Sequence, residues 1–357
     1  MIQKLRKIFN ICNDVDAILI SNTDRQDPNF TYITGFKSGI FEYDNLVLER
    51  STATLFTSVL EYDTAKAQAP KHMKVICFKD VEKQRSALEK TLRGRRIGMN
   101  GMFIPFDIYK RVKNHYKPKS MKDVSDKLSL SRMIKDDEEI NNIKKAASIT
   151  KKAMELVRKE LKEGITEQEL ANKFDNISAS LGSTEPSFKT IVCFGENAAF
   201  PHHSPDNRKL KRGDVVLIDA GAKFNSYCSD ITRTIIWDSS KNKISEEMAR
   251  IIEVVREAHD KSISAIKPGV EASNIHKIAQ EHIDNAYGGR YKGRFIHALG
   301  HSVGIEVHDG PGFSPGISMS LKPGMVITVE PGIYIPGIGG ARIEDDVLVT
   351  KTGSVIL

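Results

Sequence analysis

The chain has 357 residues, 40% of them hydrophobic and 28% charged, with a net charge of +7. That balance excludes a disordered chain, and the length suits two domains with a real core. No run approaches the roughly 20 apolar residues of a bilayer span, so no membrane partner is expected.

The opening stretch, MIQKLRKIFNICNDVDAILI, starts basic, but Asn10, Asn13, Asp14 and Asp16 interrupt it. No secretion signal is expected from such a pattern. Cys12, Cys77, Cys193 and Cys228 are scattered without a CxxC pair. They read as reduced thiols of a cytoplasmic protein. Residues 1–125 alternate β-like runs (VDAILISN, ATLFTSVL, KVICF, RIGMN) with helical stretches such as DVEKQRSALEKTL. That is the pattern of a small α/β domain. This segment holds 22 Lys and Arg against 14 Asp and Glu, while the remainder is nearly neutral. Its basic stretch from Arg93 to Lys122 reads as a solvated face that keeps the protein soluble more readily than as a nucleic-acid site.

The Lys-rich KPKSMKDVSDKLSLSR then reads as a linker into a second domain, residues 126–357. A long helix is expected from KDDEE onward. Ile140, Ile143, Ala147, Met154, Val157 and Leu161 share one face, and the acidic first turn suits the helix dipole. Beyond it the chain resembles itself. KEGITEQELANKF at 162–174 is similar to KPGVEASNIHKIA at 267–279, an offset of 105 residues. KRGDVVLIDAG at 211–221 matches LKPGMVITVEPG at 321–332 through G-x-V-x3-[DE]-x-G. Two matches in the same order suggest two related halves, each of helices followed by strands.

Each half carries acids in β-prone, apolar surroundings. A tight turn at Phe224–Asn225 would set Asp219 opposite Asp230, with both side chains on one face. A turn centred on Gly337 would do the same for Glu330 and Glu344. Like charges placed opposite each other are destabilising. Arg233 and Arg342 could relieve them in two surface hairpins, but the neighbouring VVLI and VITV argue against exposure. Four converging carboxylates call for cations, and two divalent ions balance four charges. FIHALGHSVGIEVHDGPG offers His297, His301 and His308 as nitrogen donors between the two hairpins.

At these residues the sequence resembles the pita-bread metallopeptidases, in the branch containing Xaa-Pro dipeptidase (prolidase) and aminopeptidase P. The matching stretches are NAAFPHH, DAGAKFNSYCSDITRT, HALGHSVGIEVHD, TVEPGIY and RIEDDV, with a looser match at NFTYITGF. The resemblance implies an α+β architecture: a pita-bread catalytic domain with an internal pseudo-two-fold duplication, preceded by a smaller α/β domain. It implies five metal ligands, Asp219, Asp230, His301, Glu330 and Glu344, holding two divalent ions, Mn²⁺ or Co²⁺. It places His202, His297, His308 and Arg342 at the substrate, and it implies a homodimer.

The expected reaction is hydrolysis of the bond before proline in a small peptide with proline at its second position. Glu330 is the expected general base, with His202 and His308 hydrogen-bonding the oxyanion. Aminopeptidase P acting on longer peptides remains the competing activity. A non-catalytic peptide-binding pita-bread protein is the alternative from another class. Ser302, where glycine is commoner, and Asp309, where glutamate is usual, depart from the family pattern without removing a ligand. His203 has no counterpart there and reads as incidental.

Overall fold

In the computed structural model, which describes residues 1–238, 243–313 and 316–357, the chain divides into two compact units, Met1–Arg132 and Met133–Leu357. The first unit is built on six strands: β1 (Ala17–Ser21), β2 (Asn45–Leu48), β3 (Ala53–Ser58), β4 (Met73–Phe78), β5 (Arg96–Met99) and β6 (Ser120–Asp123). Their order is β4-β3-β2-β1-β5-β6, with β2 antiparallel to both of its neighbours and the remaining pairs parallel. Central β1, AILIS, is buried throughout, as a strand covered on both faces should be. Six helices accompany the sheet: α1 (Ile2–Ile11), α2 (Pro28–Thr34), α3 (Tyr62–Gln68), α4 (Val81–Leu92), α5 (Phe106–Arg111) and α6 (Ser125–Arg132).

The stretch expected to be a linker is not one. It forms edge strand β6 and helix α6, whose Leu128 is fully buried. Lys122 on β6 and Lys127 on α6 both reach Asp14, at 2.9 Å each. Edge strands carry lysines because these discourage further pairing, so a polar sequence is no sign of a loop there.

The second unit shows its duplication in element order. Helices α7 (Asp137–Val157) and α8 (Glu167–Ser180) precede strands β7 (Ile191–Phe194), β8 (Val215–Ala220), β9 (Lys223–Phe224), β10 (Tyr227–Cys228) and β11 (Ile231–Ile236). Helices α9 (Lys243–Ala265) and α10 (Ala272–Asn285) precede β12 (Val326–Val329), β13 (Gly332–Ile335), β14 (Gly339–Arg342), β15 (Asp345–Val349) and β16 (Ser354–Ile356). Both α7 and α8 begin with capping boxes, Asp136–Glu139 and Thr166–Glu169. Each box satisfies otherwise orphaned backbone N–H groups at the helix start.

Strand β8 is buried along its whole length because helices cover both faces. Val216, Ile218 and Ala220 pack with Met154, Val157, Leu170 and Phe174 of α7 and α8. Val215 and Leu217 pack on the other side with Ile251 and Val255 of α9 and Ile275 of α10. Each such side chain removed from water contributes about 1.5–3 kcal/mol. Strand alternation then gives Asp219 the same face as Val215 and Leu217. It is a carboxylate at the end of an apolar row.

The two hairpins differ in how well symmetry about their acids describes them. In the second, Val329 faces Asp345 and Gly332 faces Arg342, so the register carried through sets Glu330 opposite Glu344, as expected. In the first, Asp219 faces Thr232 instead of Asp230, and Phe224 faces Tyr227. The turn is Asn225–Ser226, both left-handed, with φ of 47° and 69°. Moving the turn by one residue moves the register by two, which preserves the face each side chain takes. Gly221 follows Asp219's strand closely: a Cβ there would stand 1.9 Å from the Ser229 carbonyl oxygen.

The two halves meet along β11. Thr234 Oγ1 donates to the Arg342 carbonyl at 2.8 Å, the Glu344 N–H donates to the Thr232 carbonyl at 3.2 Å, and the Asp230 N–H donates to Asp346 Oδ2 at 3.1 Å. These bonds draw the acids of one half against those of the other.

Candidate functional site

His202, Asp219, Asp230, His297, His301, His308, Glu330, Arg342 and Glu344 all line one cavity of about 490 Å³. Phe188, Ile191 and Val307 supply apolar wall beside them. Asp219 is the next-to-last residue of β8, Asp230 precedes β11, Glu330 follows β12 and Glu344 precedes β15. His301 comes from a loop pinned to β12 by a Ser302–Ile327 bridge, with its own N–H donating to Thr328 Oγ1 at 3.0 Å. The preceding Gly300 permits this approach, since a Cβ there would stand 2.1 Å from the Thr328 carbonyl oxygen.

His301 Nδ1 faces the Ser302 carbonyl at 3.3 Å. A carbonyl only accepts, so Nδ1 carries the hydrogen and Nε2 presents its lone pair. Nε2 lies 3.4 Å from Asp230 Oδ2 and 3.6 Å from Glu330 Oε1. One oxygen or nitrogen from each of Asp230, His301 and Glu344 falls within a 4.8 Å group capable of holding an ion.

Around this group several polar atoms are closely partnered. Thr232 Oγ1 donates to Glu344 Oε2 at 2.6 Å, and Thr328 Oγ1 donates to Glu330 Oε1 at 3.3 Å. Arg342 is buried and donates to Asp219 Oδ2 at 2.6 Å, to the Tyr334 hydroxyl at 2.7 Å and to Thr232 Oγ1 at 3.1 Å. His297 Nδ1 lies 2.8 Å from the Ala298 carbonyl and Nε2 lies 2.9 Å from the Tyr334 hydroxyl. The same tautomer logic makes Tyr334 the donor to His297 Nε2. The polar atoms of His297 and Arg342 are thus engaged with neighbours. The His308 ring packs tilted against that of His301, centroids 4.1 Å apart, and His202 is exposed at the cavity.

A model of metallopeptidase family M24 matches residues 141–351, and one of the Creatinase/Prolidase N-terminal domain matches residues 1–134. The chain belongs to metallopeptidase family M24.

Among relatives of this M24 chain is the Xaa-Pro dipeptidase of Pyrococcus horikoshii, 38% identical over 99% of this chain and 96% of that protein. The crystal structure of the prolidase from the same organism superposes with a TM-score of 0.88 at 37% identity, covering 99% and 97% of the two chains. An X-Pro aminopeptidase from Thermotoga maritima reaches 0.85 at 30% identity, covering 96% and 95%. The α+β architecture, with its N-terminal domain before a pita-bread domain, is therefore that of the family.

The residues of this M24 site fit divalent ions. Asp219 Oδ1 and Asp230 Oδ1 are buried without a hydrogen-bond partner. Four carboxylates face a single arginine, and a buried carboxylate without a counter-charge is expensive. Burial, then the charges of Asp219 and Glu330, pushes Asp230 far above the ordinary carboxylate range. Burial, then Asp230, raises Glu344 likewise, and burial raises Glu330 to about 7. Asp346, which caps the Asp230 N–H, is also raised by burial to about 7.

A pH dependence follows. Each of these acids has a folded value above its unfolded one, 3.8 for Asp or 4.5 for Glu, so the folded chain binds more protons and loses stability as pH rises through that window. Burial lowers His297 and His308 from 6.5 to about 4, which acts oppositely but only below pH 6.5. Above that the acids act alone. The unfolding temperature of chelator-treated protein is expected to fall between pH 6.5 and about 8, and a saturating divalent ion should remove the slope. A flat profile in chelator would contradict the assignment.

Several partners in the M24 site carry no motif signal: Thr232, Thr328 and Tyr334 are ordinary strand residues by composition. Asp346 stood in plain view in RIEDDV, but nothing in the sequence separates it from Asp345. His203, read as incidental, contacts a buried glutamate instead of the cavity.

Proposed function

We propose that the chain is a dinuclear-metal peptidase that hydrolyses the peptide bond preceding proline, with Xaa-Pro dipeptides as its first substrates. The observation that carries this reading is the convergence of Asp219, Asp230, His301, Glu330 and Glu344 on one cavity. The Xaa-Pro preference rests on the named dipeptidase relatives. Those five residues would hold two divalent ions, Mn²⁺ or Co²⁺ by the oxygen-rich donor set with one imidazole. Such ions would supply Lewis acidity toward the scissile carbonyl and lower the pKa of the attacking water.

Glu330 is the proton carrier. It borders the cavity beside the other four acid and imidazole side chains, where its carboxylate can take a proton from the water and pass it to the departing nitrogen. His308, lowered to about 4 by burial, is neutral at working pH and can donate one hydrogen bond to the developing oxyanion. His202 approaches from the exposed side of the cavity and contacts the peptide. His297 and Arg342 steady the site: His297 through Tyr334, Arg342 through Asp219.

The reading includes a cytoplasmic location, in keeping with four free cysteines, and a homodimer, which rests on the family resemblance. Among the described residues no helix is long and apolar enough to cross a membrane. Aminopeptidase activity is the second reading, favoured by the likeness to the Thermotoga X-Pro aminopeptidase. Proline release from an Xaa-Pro dipeptide and cleavage of an Xaa-Pro-Yaa tripeptide, compared on metal-loaded protein, separate the two. A dipeptidase should favour the dipeptide, an aminopeptidase should favour the tripeptide, and inertness toward both would sink the substrate assignment.

A further inference from the structure

Away from the acid cluster, one fully buried carboxylate takes four hydrogen bonds. Glu167, the first residue of α8, accepts at Oε1 from the Phe194 N–H at 2.7 Å and from Asn197 Nδ2 at 2.9 Å. At Oε2 it accepts from His203 Nε2 at 2.7 Å and from the Asp206 N–H at 3.1 Å. Two lone pairs on each oxygen are thereby spent. The group Glu167, His203 and Asp206 could in principle hold an ion by spacing, but its central acid has no capacity left, so the group is a hydrogen-bonded clamp. Because Glu167 only accepts, His203 Nε2 carries the hydrogen, whatever its 3.1 Å approach to Asn197 Nδ2.

The clamp ties the end of β7, the turn at Gly195–Ala199 and the following loop to the start of a core helix. Pro201 and His202 of that same loop line the peptidase cavity. His202 is exposed, whereas its neighbour His203 is held on the buried acid.

We propose that Glu167 is a positioning residue for the peptidase reaction: through His203 Nε2 and the Asp206 N–H it fixes the loop so that His202 meets the bound peptide. The proposal rests on the reading of His202 as a peptide contact. A displacement of about 1 Å in such a contact can cost about 100-fold in rate. The sequence distance of 36 residues between Glu167 and His203 hides the pairing from any local motif.

The test uses metal-loaded full-length protein with Glu167→Gln, His203→Ala, His203→Gln, His202→Ala and the Glu167→Gln/His202→Ala pair. In Glu167→Gln the amide must turn its NH₂ toward two donors, which breaks half the clamp. kcat/KM on an Xaa-Pro dipeptide is expected to fall at least about tenfold in Glu167→Gln and His203→Ala. His203→Gln, which keeps an N–H at similar reach, should rescue most of the loss. In the His202→Ala background Glu167→Gln should cost less than about twofold, because its effect passes through the missing imidazole. An undiminished loss in that background overturns the proposal, as does parental activity in His203→Ala.

Amide hydrogen exchange at His203, Ser204 and Asp206 reads the clamp without any peptide. Quickened exchange in Glu167→Gln supports it, and unchanged exchange overturns it. A parent protein that releases no proline, alongside quickened exchange in the variant, would fail the substrate reading alone.

Discussion

Glu330→Gln is expected to lower kcat by about 10³-fold while leaving the protein folded. The substitution is nearly isosteric. It keeps the backbone N–H bond to the Leu299 carbonyl at 2.8 Å, and the Thr328 hydroxyl still finds an acceptor oxygen. What is lost is a negative charge and the capacity to carry a proton beside the lone pair of His301. In chelator the variant should be at least as stable as the parent above pH 6.5, because a neutral amide removes one repulsive charge next to Asp230 and Glu344. Steady-state kinetics and thermal unfolding read the two effects separately. A kcat within tenfold of the parent would remove Glu330 from the proton path.

Arg342→Met is expected to cost about 3–5 kcal/mol of stability in metal-free protein, the usual penalty for breaking a buried ion pair from one side. The methionine fills much of the volume, so the loss is electrostatic. Asp219 Oδ2, Thr232 Oγ1 and the Tyr334 hydroxyl each lose a donor, and Asp219 Oδ1 already has none. Asp219→Asn in the same chain should recover part of the cost, since it removes the charge left uncompensated. Urea denaturation in chelator measures both. A penalty below about 1 kcal/mol would mean that Arg342 is not the counter-charge of the cluster.

Much of this site was legible because strand alternation is strict. Asp219 and Asp230 were placed with the wrong turn, yet on the right face, since the error shifted the register by two residues. The Phe224–Asn225 turn follows from setting the two acids directly opposite each other; the left-handed pair is Asn225–Ser226, and serine is a weak turn signal. The Gly337 hairpin had a flexible residue at its centre, and its register was read correctly.

Strand β6 and helix α6 were hidden because their few apolar residues sit among lysines that pair with Asp14. The hydrogen-bonding threonines and Tyr334 were hidden for a different reason. The role of Thr232 exists only once β11 lies beside residues 342–346, a contact of sequence separation above one hundred that no periodicity announces, while Thr328 and Tyr334 act through bonds to His301, His297 and Arg342 that no motif marks.

The central claim is that five side chains meet to hold divalent ions on which proline release depends. The most direct measurement is proline release from an Xaa-Pro dipeptide after exhaustive dialysis against a chelator, before and after Mn²⁺ or Co²⁺ is added back. No release is expected before addition, and full recovery after it. A full rate in the dialysed, metal-free protein would contradict it.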